Sequence, residues 1–242
     1  MTIELPMAQQ ALAFQVLSNP EPMPIERRQA VLDEPVFGTV FTDHMVDICW
    51  SEKGGWHRPR VQPYGPIPLD PAAAVLHYGQ EIFEGMKAYR HEDGSIWTFR
   101  PEENALRMQR SAARMAMPQL PVEYFLQSLK ELIAVDGQWV PSAPETSLYI
   151  RPFMFAKEAF LGVRPAKKVA FYVIASPVGP YFGGEAKPVS IWLSTNFTRA
   201  GRGGTGAAKT GGNYAASLLA QSEASENGCQ QVLFLDSVEG KF

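Results

Sequence analysis

The spacing of apolar and polar residues predicts two helices and a series of strands. Residues 121–137 keep apolar side chains at helical intervals, with Pro121 at the start and Gly137 as the stop. A helix is also predicted directly after Arg100 and Pro101, because glutamates open it and arginines lie in its later turns, the order that the helix dipole favours. Apolar or β-prone stretches at 36–40, 45–50, 96–99, 147–155 and 168–175 predict strands, and the other proline-rich parts of residues 1–70 predict loops.

A stretch rich in glycine and proline divides the chain. Residues 176–188 (SPVGPYFGGEAKP) hold three prolines and three glycines, which is typical of a linker. Alternating polarity at 189–194 then predicts a half-buried strand, followed by a glycine-rich loop, a helix at 213–227 that Gly228 caps, and a strand at 231–235. The predicted fold class is α/β (α+β), with a small N-terminal α/β domain at 1–175, an interdomain linker at 176–188 and a second domain at 189–242.

Composition excludes several function classes. Hydrophobic residues make up 45% of the chain and charged residues 19%, which is typical of a globular protein. With 22 basic and 25 acidic side chains the net charge is -3, so we expect no nucleic-acid partner. Cys49 and Cys229 form no CxxC motif, so we expect no metal site and a reducing cytoplasm. The N-terminal stretch has no basic leader region, and the apolar run 169–175 is far shorter than the ~18 residues of a membrane span, so no membrane association is expected.

The glycine-rich loop, GRGGTGAAKTGGNYAAS at 201–217, matches more than one binding motif. Gly201, Gly203 and Gly206 fit the G-x-G-x-x-G pattern of dinucleotide sites, but residues 197–200 separate them from the preceding strand. The stretch 203–210 fits a P-loop except at Ala208, where a P-loop needs glycine. Two more glycines, at 211 and 212, interrupt the helix that both motifs require. Both motifs stay open as the weaker alternatives.

A third interpretation centres on Lys209. Small residues flank it on both sides, which leaves open space around the amine. The helix expected just beyond would direct backbone N–H groups at an anion. A lysine in such a setting can form a Schiff base with a carbonyl compound. An ordinary surface lysine is the simpler alternative, but the six glycines of this loop indicate a tightly specified backbone.

Several ordered segments resemble one enzyme family. GTGAAKTGGNY (204–214) is similar to the lysine loop of branched-chain amino acid aminotransferases, enzymes of fold type IV that carry pyridoxal 5'-phosphate (PLP). Matching segments follow the same order at HYGQEIFEGMKAY (77–89), FRPEENALRM (99–108), LYIRPFMF (148–155), FLGVRP (160–165) and GPYFGG (179–184). The resemblance implies a two-domain fold type IV enzyme in which residues 189–242 begin a larger, β-rich PLP-binding domain.

The resemblance also implies roles for three residues at the cofactor. Lys209 would hold PLP as a Schiff base and shuttle the proton between substrate and cofactor. Tyr214 aligns with the tyrosine that hydrogen-bonds the phenolic oxygen of PLP. Arg100 aligns with the arginine that grips the PLP phosphate, a task suited to a planar bidentate donor, although Glu102 or Glu103 is an alternative partner for it.

Seven further positions resemble the family's substrate site. Those expected to line the pocket for a branched side chain are Tyr78, Phe83, Tyr149 and Tyr181. Arg151 would meet the distal carboxylate of glutamate, with a structural ion pair as the alternative. Leu161 and Val163 resemble loop residues that reach into the neighbouring subunit's site, which implies an obligate homodimer.

These roles imply a reaction between small molecules. Leucine, isoleucine or valine would give its amino group to PLP, and the pyridoxamine form would pass it to 2-oxoglutarate in a ping-pong cycle. Arg151 together with GPYF and FEG favours the branched-chain enzymes over the related D-amino acid transaminases and aminodeoxychorismate lyases. A nucleotide hydrolase and a non-catalytic interaction protein remain as alternatives from other classes.

One feature of the family has no counterpart in this sequence. The resemblance places a glutamate that protonates the pyridine nitrogen, and later turns that hold phosphate and substrate carboxylate, beyond residue 242. Glu239 lies too early to take that role, and Glu84 is expected only to organise its own turn. We therefore expect the natural protein to continue past Phe242.

Overall fold

The computed structural model describes residues 12–180 and 188–241. These residues form a mixed α/β fold, as the sequence predicts, with one large and one small sheet. The strands are β1 (Gln15–Val16), β2 (His44–Ser51), β3 (Gly55–Pro63), β4 (Glu81–Phe83), β5 (Met86–Arg90), β6 (Ile96–Thr98), β7 (Ser147–Ala156), β8 (Lys168–Val178), β9 (Ile191–Ser194) and β10 (Gln231–Phe234). The helices are α1 (Ile25–Asp33), α2 (Ala74–Tyr78), α3 (Pro101–Arg114), α4 (Val122–Asp136), α5 (Gly211–Ala215) and α6 (Leu218–Glu226), with a 3-10 turn at Gly137–Trp139.

The large sheet gives its central strands two different faces. Its eight strands follow the order β1-β3-β2-β8-β7-β5-β6, with β4 paired to β7. Only β1 and β3 run parallel. Because successive side chains of a strand point to opposite faces, Ile150 and Met154 of β7 are fully buried while Tyr149, Arg151 and Phe153 on the other face stay half-buried. That second face carries the residues singled out from the sequence.

The core lies between the large sheet and the helices α3 and α4. Its largest fully buried apolar side chains are Trp139, Phe125, Phe171, Ile48, Ile82, Met108, Leu132, Leu148, Ile150, Met154 and Val46. Phe125 of α4 packs its ring 6.2 Å from that of Phe171 on β8. Each such side chain stabilises the fold by roughly 1.5–3 kcal/mol when removed from water. The apolar spacing that predicts α4 is therefore the spacing of this interface.

The small sheet pairs β9 with β10 in parallel, in register from Ile191 opposite Gln231 to Ser194 opposite Phe234. Parallel neighbours need a long crossover, and here it contains the glycine-rich loop, α5 and α6. Strand β8 continues to Val178, two residues past the start of the predicted linker at 176–188. The division into domains at 1–175 and 189–242 stays a prediction.

Several local features differ from the sequence prediction, among them α2, β4 and β5, which it does not include. The stretch 36–40 forms turns rather than a strand, and the N–H and hydroxyl of Thr39 both donate to the carbonyl of Val36. Helix α1 and strand β3 lie in the part of the chain expected to be mostly loops. Strand β3 accommodates Pro59 because a bulge separates the pairs Asp47–Arg60 and Cys49–His57, and proline is tolerated at bulges.

The helix predicted at 213–227 is two helices. Helix α5 ends at Ala215 and α6 begins at Leu218. The Ser217 hydroxyl donates to the carbonyl of Tyr214 at 2.7 Å and thus satisfies that carbonyl locally. The predicted cap is present, since Gly228 takes φ +70°, a left-handed conformation that favours glycine.

Candidate active site

The main chain of Lys209 is fixed by the N-terminal part of the protein. Its N–H donates to Oγ of Ser111 on α3 at 2.9 Å, and its carbonyl accepts from the N–H of Phe83 on β4 at 3.0 Å. Arg114, at the end of α3, donates to the carbonyls of Gly203 and Gly204 in the same loop, with the shortest distance 3.0 Å. The glycine-rich loop therefore rests on the large sheet and its helix.

The Lys209 amine lies among aromatic groups. Nζ donates to Oη of Tyr214 at 2.6 Å and lies 4.5 Å from the centroid of the Phe83 ring. The ring centroids of Phe83 and Tyr214 are 4.9 Å apart. An ammonium within about 6 Å of the face of an aromatic ring is attracted by the quadrupole of that ring. Three positions singled out from the sequence thus meet at one point.

The loop beyond Lys209 is bound to a carboxylate of the large sheet. The N–H of Gly211 and, at 3.4 Å, the hydroxyl of Thr210 donate to Oε1 of Glu81 on β4. Burial raises the pKa of Glu81, while these two hydrogen bonds and the positive charge of Arg151 act to lower it. The first N–H of α5, expected to face an anionic ligand, is therefore already occupied by the protein's own carboxylate.

Arg151 joins the Lys209 cluster to a second aromatic ring. Its guanidinium carbon lies 4.7 Å from the centroid of Phe83 and 5.3 Å from that of Tyr149, and its Nη2 donates to the Tyr149 hydroxyl at 2.9 Å. Its Nε is buried and has no hydrogen-bond partner among the described residues. A buried donor without a partner is costly, so Arg151 is poised to accept a polar ligand.

Two cavities open beside Tyr149, and Arg151 lines the first of them. The first, of about 210 Å³, is lined by Phe37, Gly38, Phe41, Tyr149, Arg151, Ile174, Ala175 and Ser176. The second, of about 570 Å³, is lined by Pro35, Phe37, Lys87, Tyr149, Val178, Gly179 and Pro180. The ring of Phe37 stands edge-on to Tyr149 at 5.0 Å and so separates them. The walls are mainly apolar, with Arg151 and Lys87 as their cations.

An ion pair that the sequence did not reveal lies next to this cluster. Glu84 is fully buried and accepts from Nε and Nη2 of Arg107, both at 2.7 Å, and from Asn104 at 2.9 Å. The hydrogen bond to Glu84 raises the pKa of Arg107, and Tyr214 adds to the shift. Arg107 lies one helical turn before Ser111, which accepts from the Lys209 N–H, so both residues face the same side of α3. Glu84 and Arg107 are 23 residues apart, so only the packing of α3 on the turn after β4 brings them together.

The other predicted site residues lie apart from Lys209. Arg100 takes φ +45° at the start of α3 and pairs with Glu103 at 2.9 Å on the surface, the alternative that the sequence left open. Tyr78 donates to the carbonyl of Leu161. Leu161 and Val163 are 59% and 86% exposed. Tyr181 lies outside the described residues. The described contacts thus gather five of the ten predicted residues at one place: Lys209, Tyr214, Phe83, Arg151 and Tyr149.

The loop geometry does not match a nucleotide-binding motif. Strand β9 ends at Ser194, well before Gly201, and α5 begins only at Gly211, after Lys209. A dinucleotide site needs its glycines directly after the strand and at the start of the helix, and a P-loop needs its lysine in the first turn of the helix. Among residues 12–180 and 188–241, no group of three or more His, Cys, Asp or Glu side chains could hold a metal ion. No helix of this described part is long and apolar enough to cross a membrane.

Curated relatives are similar in sequence to this protein over most of its length. It is 58% identical over 232 residues to the branched-chain-amino-acid aminotransferase of Mycolicibacterium smegmatis, covering 96% of this chain and 63% of that protein. It is 57% identical to the enzyme of the same name from Mycobacterium tuberculosis, covering 98% of this chain and 64% of that one. The chain thus spans slightly less than two thirds of the length of these relatives.

Solved structures and a family model agree with these relatives. The T.th. branched-chain amino acid aminotransferase with pyridoxamine 5'-phosphate matches with a TM-score of 0.62 and 29% identity, over 78% of this chain and 59% of that one. The enzyme from Escherichia coli matches with a TM-score of 0.62 and 28% identity, over 79% and 60%. These matches confirm the fold type IV architecture predicted from the sequence. Since the family model for amino-transferase class IV matches residues 81–240, the chain belongs to the class IV amino-transferase family.

Proposed function

We propose that this chain carries out branched-chain amino acid transamination with PLP, the amino group moving reversibly between leucine, isoleucine or valine and 2-oxoglutarate. The observation that carries the proposal is the position of the Lys209 amine, held against the Tyr214 hydroxyl and over the Phe83 ring. Arg151, which also lies over the Phe83 ring, connects this amine to a cavity with mainly apolar walls. The names of the relatives, all branched-chain aminotransferases, support the same substrate class.

The residues present fit PLP. An amine, a phenol and a ring face lie together, matching the aldehyde, phenolic oxygen and ring of that cofactor. Arg107 is a stronger candidate for the phosphate than Arg100, because Arg107 is bound to Glu84, the residue after Phe83, whereas Arg100 is paired with Glu103 on the surface. Nη1 of Arg107 makes no hydrogen bond within the described residues and is therefore available to an anion. PLP, when bound, supplies an electron sink for the carbon that loses its proton.

The residues around Lys209 would hold and move the proton. The Lys209 amine would take the proton from the substrate carbon and return it, acting as general base and acid. The Tyr214 hydroxyl, which accepts from Nζ at 2.6 Å, fixes the direction of that amine. The Phe83 ring covers one side of the amine and keeps water from it. The main-chain hydrogen bonds to Ser111 and Phe83 fix the backbone of Lys209, so its amine needs little motion to reach the reacting atoms.

Two requirements on the substrate pocket meet at Arg151. Aromatic rings of Phe83 and Tyr149 offer an apolar wall to a branched side chain. The unpartnered Nε of Arg151 offers a hydrogen bond to the second carboxylate of glutamate or 2-oxoglutarate. One pocket would thus accept both kinds of substrate, as a ping-pong reaction requires.

We also infer a homodimer in the cytoplasm. Val163 and Leu161 are the exposed apolar residues of a surface loop that the Tyr78 hydroxyl holds through the carbonyl of Leu161. An exposed apolar loop fixed in this way suits insertion into a neighbouring subunit. Cys49 and Cys229 are both free thiols, which fits a reducing compartment.

Borohydride trapping tests this function. In the full chain mixed with PLP, borohydride should fix the cofactor irreversibly onto the lysine that holds it, and peptide mass spectrometry should find the added mass on Lys209. Lys87 lines the adjoining cavity and is the matched control, so Lys87→Ala should leave the label in place. A label on Lys87, or binding of magnesium and ATP by a protein that takes up no PLP, would contradict the proposal.

A further inference from the structure

Glu81 forms a contact with the lysine loop that the proposed reaction does not itself require. It lies on β4 two residues before Phe83, so its side chain and that of Phe83 share one face of the strand. Its Oε1 accepts from the N–H of Gly211 and the hydroxyl of Thr210, the two residues that follow Lys209. A carboxylate of the large sheet is therefore bound to the peptide group between Thr210 and Gly211 and to the Thr210 hydroxyl.

The backbone at Gly211 is shaped for this contact. A methyl group on Gly211 would overlap the Glu81 carboxylate, whereas a methyl group on the next residue, Gly212, would meet no atom within 4 Å. Neither glycine has a left-handed backbone, so alanine is acceptable at both positions except for that overlap. For an added methyl group, the two adjacent glycines thus differ in the close approach of Glu81.

The contact completes the anchoring of Lys209 on both sides. Ser111 and Phe83 hold the peptide groups of Lys209 itself, and Glu81 holds the peptide that follows Thr210. Phe83, next but one to Glu81, also lies under the lysine amine at 4.5 Å. A short strand therefore sets both the main chain and the amine of the lysine.

We propose that Glu81 is a positioning residue for Lys209, whose carboxylate holds Gly211 and Thr210 and so directs the lysine amine at its place between Phe83 and Tyr214. This inference rests on the proposed function, because it assumes that the amine reacts with PLP. The role belongs to the hydrogen-bond acceptor rather than to the negative charge, since the two donors are a backbone N–H and a hydroxyl.

The test measures how fast the Lys209 amine reacts with PLP, by borohydride trapping at timed intervals in the full chain. Glu81→Leu removes the acceptor at similar size and should slow labelling by about tenfold to a hundredfold, the usual cost of a misplaced reacting group. Glu81→Gln keeps an acceptor oxygen and should stay within about threefold of the original rate. In turnover, Glu81→Leu should lower kcat while KM for the amino donor changes by less than about threefold.

The two glycines supply a matched pair. Gly211→Ala should slow labelling as Glu81→Leu does, and Gly212→Ala should leave it unchanged. The double variant Glu81→Leu with Gly211→Ala should lose no more than either single variant, because both remove one contact. This pair also decides the question if Glu81→Leu fails to fold.

Hydrogen exchange separates the contact from the chemistry. In the protein without PLP, the Gly211 amide should exchange faster in Glu81→Leu than in the original chain. If Lys209 is labelled normally in Glu81→Leu, or if Glu81→Gln is as slow as Glu81→Leu, the positioning role is wrong while the proposed function stands. If the unaltered chain is not labelled at Lys209 at all, the proposed function itself fails.

Discussion

Two polar clusters of this protein differ in how completely their groups are paired. In the first, Asp136 is fully buried and accepts from both the N–H and the Nδ1 of His44, at 2.8 and 2.7 Å. Beside it, Asp43 accepts from the indole N–H of Trp139 at 2.8 Å and from the N–H of Met23 at 2.7 Å. Both carboxylates are satisfied on both oxygens by groups of the fold.

The Lys209 cluster, in contrast, contains polar groups that are not fully paired by the fold. Arg151 keeps a buried Nε without a partner in the described part of the chain, and Tyr214 is 40% exposed although it holds the lysine amine. A cluster whose groups are all paired stabilises the fold, whereas one that leaves donors open is prepared for a ligand. The difference predicts that changes in the first cluster affect unfolding and that changes in the second affect chemistry.

The largest effect is expected at Lys209. Lys209→Ala should abolish transamination by several orders of magnitude, because the group that holds the cofactor and the group that moves the proton are lost together. Lys209→Arg should be equally inactive, since a guanidinium does not deprotonate to react with an aldehyde. Steady-state assays of the full chain with leucine and 2-oxoglutarate measure this, and the melting temperature is the control for folding. Substantial turnover in either variant would refute the assignment.

The next effect is on stability and comes from the paired cluster. Asp136→Ala leaves two buried donors of His44 unpaired and should lower the free energy of unfolding by about 3 kcal/mol. Asp33→Ala, a change at the exposed end of α1, should cost less than about 0.5 kcal/mol. Urea denaturation followed by tryptophan fluorescence measures both. A large drop in the rate of Lys209 labelling in folded Asp136→Ala would break the distinction between the clusters.

Arg151 should show a smaller, substrate-dependent effect. Arg151→Met is expected to weaken the half-reaction with glutamate or 2-oxoglutarate by ~1–3 kcal/mol, the value of a charge-assisted hydrogen bond, and the half-reaction with leucine by less. Stopped-flow measurement of both half-reactions separates these outcomes. Equal losses for glutamate and leucine would mean that Arg151 belongs with the structural groups.

The smallest effect concerns pH and a structural tyrosine. Tyr172 is 6% exposed and stacked 5.7 Å from Phe155, and burial raises its pKa to about 12. Because the unfolded phenol ionises near pH 10, the stability that Tyr172 provides is fully present below about pH 10 and is lost as the pH rises towards 12. Tyr172→Phe should therefore reduce the fall in Tm between about pH 9 and pH 11. Parallel Tm curves for the two proteins would contradict this.

Local sequence patterns predict some helices and strands well and others not at all. Helix α4 is predictable because its buried face recurs at helical spacing between Pro121 and Gly137. Helix α3 is predictable because Pro101 opens it and its glutamates precede its arginines. Strand β3 is not predictable, since Pro59 interrupts the strand pattern of its sequence. Only the bulge in the pairing of β3 with β2 allows a proline at that position. Helix α1 buries none of its residues, so it has no apolar face from which to predict it.

The candidate site divides in the same way. The pairing of Lys209 with Tyr214 spans five residues, and the resemblance of the lysine loop was enough to select both. The contacts of Glu81 with Gly211 and of Glu84 with Arg107 join residues 130 and 23 positions apart. No local pattern carries such a relation, because it depends on how β4 and α3 pack against the loop. The role of Arg100 at the phosphate stays a prediction, and the structure pairs this arginine with its helix neighbour Glu103.

The anchoring of the Lys209 peptide groups on α3 and β4 couples two equilibria. These two equilibria are the docking of the glycine-rich loop on the large sheet and the binding of a ligand to Lys209. Releasing the loop breaks the hydrogen bonds of Lys209 to Ser111 and Phe83. A ligand that binds Lys209 only when both hydrogen bonds are present therefore binds only the docked loop. At a free concentration a hundred times its dissociation constant, such a ligand favours docking by about 2.7 kcal/mol. Because the coupling is reciprocal, a change that weakens the docking of the loop also weakens the binding of the ligand to Lys209. The affinity of Lys209 for its ligand is therefore set in part by residues such as Ser111, which act on the peptide and not on the ligand.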